Sequence, residues 1–223
     1  MYPGASDLEN LESAVNYNHY LLSLITGRLR GAEKVLDFGA GTGHMAAKVR
    51  EFVSDVAAVE PDKNLSELIR SRGIRLEPLD SIAPNSLDLI YSLNVLEHVE
   101  DDSILFANLV SKLRKGGRIL IYVPAVPLFF SNFDARIGHL RRYTKRSLSQ
   151  LVGDTGLQEV EIRSHDPLGA FVALAYKVLI NSGSINTVAL QFFDRRIFPI
   201  SVWIENHFRI PFGKNMSLTG VKP

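Results

Sequence analysis

The stretch Val35-Leu36-Asp37-Phe38-Gly39-Ala40-Gly41-Thr42-Gly43 decides how this chain is read. A short apolar run, interrupted by one acid, enters a turn in which every second residue is glycine. Glycine has no Cβ, so the turn can bend sharply and let a ligand approach the backbone beside the start of the next helix. A plain strand-to-helix turn would also use glycines. Glu60 argues for more, because it ends the next apolar run, Val56-Ala57-Ala58-Val59, 17 positions after Gly43. An acid there can accept hydrogen bonds from both hydroxyls of a ribose.

The flanking sequence supports a strand on each side of that turn. Leu8, Leu11, Val15, Leu22, Ile25 and Leu29 recur with a helical period, predicting a helix over residues 7–30 that stops at Gly31. Residues 44–52 and 65–72 read as helices, and 74–79 as a third strand. The rhythm then repeats. Residues 87–93 form a strand, 104–113 a helix closed by Lys115-Gly116-Gly117, and 118–123 a strand ended by Pro124. Strands alternating with helices at this spacing predict parallel βαβ units in a doubly wound α/β sheet. Continuous apolar strands agree, since a parallel sheet is covered on both faces.

Beyond Pro124 the pattern changes. Residues 125–143 are irregular, 144–152 a short helix, and 157–164 a strand. Residues 168–180 and 187–208 are apolar and helical, with a break near Pro199, and 216–221 supply a last strand. The expected organisation is one domain over residues 1–223. It comprises an N-terminal helical segment (1–31), a cofactor-binding core (32–124), and a substrate-side cap with the last strands (125–223).

Composition narrows the function classes. The 223 residues are 46% hydrophobic and 22% charged, with 25 Lys and Arg against 24 Asp and Glu. Disordered, collagenous and coiled-coil chains are excluded. There is no cysteine, so disulfides, thiolate metal sites and a thiol nucleophile are excluded as well. A net charge of +1 speaks against a dedicated nucleic-acid binder. The N-terminus carries acids where a signal peptide needs a basic start. The most apolar run, about 13 residues, falls short of the roughly 20 that span a bilayer. A cytoplasmic location is expected.

Two nucleotide ligands fit the glycine turn. The dinucleotide fingerprint G-x-G-x-x-G has its third glycine one place later than Gly43, and Asp37 would repel a pyrophosphate. A ligand carrying an ammonium group would be drawn to that acid, as S-adenosylmethionine would be. A phosphate-cradling P-loop is excluded, because no G-K-[ST] follows.

The chain resembles the class I S-adenosylmethionine-dependent methyltransferases. The resemblance rests on the glycine stretch, Val59-Glu60-Pro61-Asp62, Leu79-Asp80 and Asn94-Val95-Leu96-Glu97-His98-Val99. It continues through Val123-Pro124-Ala125, Gly138-His139-Leu140-Arg141-Arg142-Tyr143 and Pro211-Phe212-Gly213, in the manner of a bacterial small-molecule subgroup. Ala40 stands where many relatives have Cys. The resemblance implies a Rossmann-like, doubly wound, mostly parallel seven-stranded sheet with an antiparallel last strand and an inserted helical cap. It implies S-adenosyl-L-methionine as cofactor and S-adenosyl-L-homocysteine as product. Glu60, with Pro61 beside it, would hold the ribose, and Asp80 and Ser81 would lie beside the adenine. Asp37, Gly39, Ala40, Gly41 and Gly43 would line the methionine end, where Asn94 would meet the amino group. Asp80 could equally be a turn residue and Asn94 a helix cap.

Six cationic or near-cationic side chains crowd residues 136–146, and the formal charge is −4 up to Pro124 and +5 after it. Arg141 and Arg142 are therefore candidates for an anionic acceptor, with an ion-pair network on Asp134 as the alternative. His139, Tyr143 and His98 are the candidates for a general base. No metal is expected, because the histidines are scattered without paired spacing. The aromatic helices after residue 167 suit a lid, a dimer face or a patch touching a membrane beside Arg195 and Arg196. The expected activity is methyl transfer to an oxygen of a small or lipid-linked anionic acceptor, by a monomer or homodimer. Its rivals are a non-catalytic S-adenosylmethionine-binding protein and an RNA methyltransferase.

Overall fold

The structure, a computed structural model, describes residues 11–180, 186–208 and 210–223. Seven strands form one sheet: β1 Lys34–Phe38, β2 Asp55–Val59, β3 Arg75–Leu76, β4 Leu87–Leu93, β5 Leu113–Pro124, β6 Gln158–His165 and β7 Asn215–Val221. The helices are α1 Val15–Thr26, α2 His44–Val49, α3 Lys63–Ser71, α4 Asp102–Lys112, α5 Asn132–Arg136, α6 Lys145–Val152, α7 Pro167–Leu179, α8 Thr187–Phe192 and α9 Phe198–His207. The start of the expected N-terminal helix, including Leu8, lies outside the described residues.

The strand order is β3-β2-β1-β4-β5-β7-β6. β1 to β5 pair in parallel, and β7 runs antiparallel to both of its neighbours, β5 and β6. The apolar strands bury both faces. Successive side chains of a strand point to opposite sides, so Val35, Leu89 and Tyr91 join α1, α2 and α3 in one core. Leu36 and Ile90 join Phe106 and Leu109 of α4 and Leu148 of α6 in the other.

Three elements depart from the expected pattern. β3 is only two residues long, and Pro78, which cannot donate to a ladder, follows it closely. Gly116 and Gly117, expected to close α4, instead lie inside β5. A Cβ on Gly117 would come within 2.8 Å of the carbonyl oxygens of Leu87 and Arg114, so the strand can bulge there only with glycine. The helix expected to break at Pro199 winds into a π-helical turn over Phe193–Ile197, and Pro199 sits in the first turn of α9, where its missing N–H costs nothing.

That π turn has a job in the fold. α1 begins after Ala14, which has no side chain to cap it. The buried Asp194 supplies the cap from 178 residues away: its carboxylate accepts from the backbone N–H of Asn16 at 3.1 Å and Tyr17 at 2.8 Å. The cap is thereby pinned to the N-terminal helix. Among the described residues, no helix is long and apolar enough to cross a membrane.

Candidate active site

The glycine turn is held by the strand beside it. Gly39 and Ala40 donate their N–H groups to the Val59 carbonyl at 2.9 and 3.2 Å. Gly39 has φ +76°, and a Cβ there would fall 2.3 Å from Cγ2 of Val95, so only glycine lets the turn pass under the loop after β4. Glu60 leaves the end of β2 and reaches back across the turn. Its Oε2 accepts from the Gly41 N–H at 2.8 Å and its Oε1 from the Asp62 N–H at 3.0 Å. Burial pushes the Glu60 carboxyl up against the pull of those two donors. Each oxygen keeps lone pairs for a further donor.

Above the carboxyl ends of β1, β2, β4 and β5 lies a cavity of about 490 Å³, a size and place suited to a nucleotide cofactor with a second small molecule. Phe38, Gly39, Gly41, Glu60 and Pro61 line one end. Tyr17 of α1, Phe133 of α5, Leu190, Phe193 and Phe198 of the cap, and Lys214 and Asn215 at the start of β7 line the rest. Asn94, at the end of β4, has φ +54°, donates its N–H to the Tyr122 carbonyl at 2.7 Å, and lines the cavity. Tyr17 lines the cavity as well, and burial pushes its hydroxyl up to about 12. Asp37 lies beneath the turn, 3% exposed, and accepts from the Tyr91 hydroxyl at 2.9 Å. Burial pushes its carboxyl up to about 7 despite that bond.

The other expected residues divide. Ala40 and Gly43 shape the turn without facing the cavity, and Asp80 and Ser81 sit exposed on the 3-10 turn Leu79–Ser81, outside the cavity's lining. His98 and His139 line the cavity and meet edge to face, with ring centroids 4.7 Å apart. Tyr143 does not reach the cavity. Its hydroxyl donates to Asp102 at 2.7 Å, because the bridge between Ala125 and Tyr143 turns the side chain toward α4. Arg141 also leaves the site, pairing with Asp102 at 2.9 Å and the Glu100 carbonyl at 3.0 Å. Arg142 lines the cavity but is committed to Asp134 through Nε at 3.1 Å and Nη2 at 2.9 Å, and to the Ala125 carbonyl at 3.2 Å. Half of the basic segment, His139, Arg141 and Arg142, is thus an internal network, while Arg136, Lys145 and Arg146 are exposed.

Asp134 organises the polar groups around His139. It accepts from the Ser131 N–H and hydroxyl at 2.8 and 2.9 Å, from Arg142, and from His139 Nδ1 at 2.8 Å. Burial would raise its carboxyl, but the bonds from His139 and Arg142 win and hold it well below the usual range. Beside this group lies Glu97, fully buried, with neither carboxylate oxygen hydrogen-bonded to another residue. Burial pushes it up to about 8, with Arg142 opposing. His98 is pushed down to about 4 by burial and by His139, against its bond to the Gly138 carbonyl.

The expectation of scattered histidines fails here: donor atoms of Glu97, His98 and His139 lie within 4.8 Å of one another. His139 is 41 residues from His98, and the loop after β5 closes that gap, so no local spacing could reveal the cluster. Sequence reading also missed Tyr17, Lys214 and Asn215, whereas Asp134 was the ion-pair partner that the sequence offered. Asn215 is 3% exposed, lines the cavity, and has a side-chain Nδ2 without a partner.

A parallel sheet with its cavity at the strand ends, a glycine turn and an acid closing the second strand defines a Rossmann-like protein built to hold a nucleoside cofactor. The chain belongs to the methyltransferase domain family, whose profile matches residues 14–162. A "probable S-adenosylmethionine-dependent methyltransferase" of Mycobacterium tuberculosis strain H37Rv is 26% identical over 137 residues, 58% of this chain and 50% of that protein. The chain thus matches only about half the length of that relative. An "uncharacterized methyltransferase" of Bacillus anthracis is 24% identical over 156 residues, 66% of this chain and 70% of the relative. Among solved structures, an S-adenosylmethionine-dependent methyltransferase from Mesorhizobium loti superposes with a TM-score of 0.63 at 16% identity, covering 91% of this chain and 96% of its own. Another, from Archaeoglobus fulgidus, gives 0.59 at 18% identity, covering 90% and 94%. The fold is that of the class I S-adenosylmethionine-dependent methyltransferases.

Proposed function

We propose that the protein transfers a methyl group from S-adenosylmethionine to an oxygen of a small or lipid-linked anionic acceptor. The observation that carries this reading is Glu60, bridging the Gly41 and Asp62 N–H groups at one end of a cavity whose other end holds His98 and His139. The residues fit the cofactor. Glu60 has acceptor capacity left for two ribose hydroxyls, Gly39 and Gly41 admit the ligand to the backbone, and Asn94 with the buried Asp37 marks the methionine end.

When bound, S-adenosylmethionine supplies a methyl carbon on a sulfonium that needs no further activation. The chain's task is alignment, which can supply most of the acceleration. His139, fixed by Asp134, and His98, fixed by the Gly138 carbonyl, mark where the acceptor oxygen is placed. Lys214 and Asn215 face the same space and suit an anionic acceptor, while Phe133, Leu190, Phe193 and Phe198 suit an apolar portion of it.

Isothermal titration with S-adenosylmethionine is expected to show one site per chain; no heat together with no thermal shift would overturn the cofactor assignment. His139→Ala is expected to lower turnover at least about tenfold while leaving cofactor affinity near wild type. Equal loss of cofactor binding would make that histidine structural.

A further inference from the structure

We propose that Glu97, His98 and His139 form a binding site for a divalent, zinc-type cation at the acceptor end of the cavity, where the cation holds the acceptor oxygen. This inference rests on reading the cavity as the site of methyl transfer. The three donor atoms lie within 4.8 Å of one another, and His139 Nε2 is 3.6 Å from Glu97 Oε1. Donors bound at roughly 2.0–2.2 Å around a tetrahedral ion stand about 3.4 Å apart, so small side-chain shifts complete the site.

The hydrogen bonds already select the right tautomers. The Gly138 carbonyl can only accept, so His98 Nδ1 carries a proton and its Nε2 presents a lone pair when the ring is neutral. His139 Nδ1 likewise donates to Asp134 at 2.8 Å, leaving Nε2 directed toward Glu97. A carboxylate behind a ligating imidazole is the usual outer support of a metal site. The backbone is pinned too. The Leu140 N–H donates to the Glu97 carbonyl at 2.8 Å, tying the two ligand-bearing segments together.

Glu97 supplies the independent observation. A fully buried carboxylate without a partner is costly. Arg142 is already committed to Asp134. A cation held by both imidazoles would satisfy Glu97.

Two histidines and one carboxylate leave a coordination position open, in the manner of catalytic rather than structural zinc sites. An acceptor hydroxyl bound there would release its proton to solvent water. Its oxygen would then bond to the methyl carbon as the carbon–sulfur bond breaks, the electron pair passing to sulfur to leave a neutral thioether. A carboxylate or phosphate acceptor would enter already ionised. Glu97, Asp134 and Arg142 together carry one negative charge, so a dication leaves net +1 to meet an anionic oxygen.

The test titrates chelator-stripped full-length protein with Zn²⁺ by calorimetry and with Co²⁺ by visible absorption. One ion per chain is expected. Glu97→Gln and His139→Ala should each weaken binding at least about tenfold, whereas His207→Ala, on the exposed end of α9, should not. Benzoate should alter the Co²⁺ spectrum by taking the open position; an unchanged spectrum would overturn the acceptor-holding role. Wild-type protein that takes up no Zn²⁺, or variants that bind it as well as wild type, would overturn the site. S-adenosylmethionine titrations on the same samples separate the two readings. Cofactor binding without Zn²⁺ uptake sinks only the cation site, and loss of cofactor binding in wild type sinks the methyltransferase reading itself.

Discussion

Glu60 and Asp37 are two acids of one glycine turn with different environments. Glu60 spends its oxygens on backbone donors at the cavity wall, so its removal should be felt in cofactor affinity. Glu60→Ala is expected to weaken S-adenosylmethionine binding at least about tenfold by calorimetry, on the order of 1.4 kcal/mol or more. Asp37 is sealed under the turn, and burial raises its carboxyl from 3.8 to about 7. A raised carboxyl binds a proton in the folded state that the unfolded chain has already released. The stability it contributes is therefore complete below about pH 4 and is lost as pH rises through about 7, by up to about 4 kcal/mol. Thermal unfolding of wild type should weaken over that interval more than that of Asp37→Asn. Parallel curves for the two would show that Asp37 does not carry the dependence.

At the scale of elements, the cavity is closed by pieces that are far apart in the chain. α1 brings Tyr17 to its roof only because Asp194 caps the helix start from the π turn. Asp194→Ala removes that cap and leaves the Asn16 and Tyr17 N–H groups unsatisfied. It should destabilise the fold by about 1–2 kcal/mol in urea unfolding and weaken cofactor binding through Tyr17, which lines the cavity. A loss below about 0.5 kcal/mol would mean that packing alone holds α1. The strands from β1 to β5 were legible because their apolar runs and glycine or proline stops are local signals. The place of β7 was not. Its sequence predicts a strand, but insertion between β5 and β6 is set by which edge the chain reaches after the cap helices.

Across the whole molecule, part of the basic excess after Pro124 is internal, since Arg141 and Arg142 serve Asp102 and Asp134, while Lys145, Arg146, Arg195 and Arg196 are exposed. The cap also offers apolar side chains outward: Phe171, Val178, Leu179, Trp203 and Phe208 are each more than half exposed. Under the proposed function, these residues would be the face that meets a membrane carrying a lipid-linked acceptor. Sedimentation with vesicles containing phosphatidylglycerol should retain the protein, and Leu179→Ser with Trp203→Ala should lower the bound fraction about threefold. Equal retention of both proteins would exclude this face. The sequence by itself determined the doubly wound core, the glycine turn and the acid that closes the second strand, because each is written in neighbouring residues with a fixed period. Only the tertiary structure decided the acceptor end. Glu97, His98, Asp134 and His139 meet across a loop whose path depends on Asp134 being buried under Arg142, and no local pattern encodes that path.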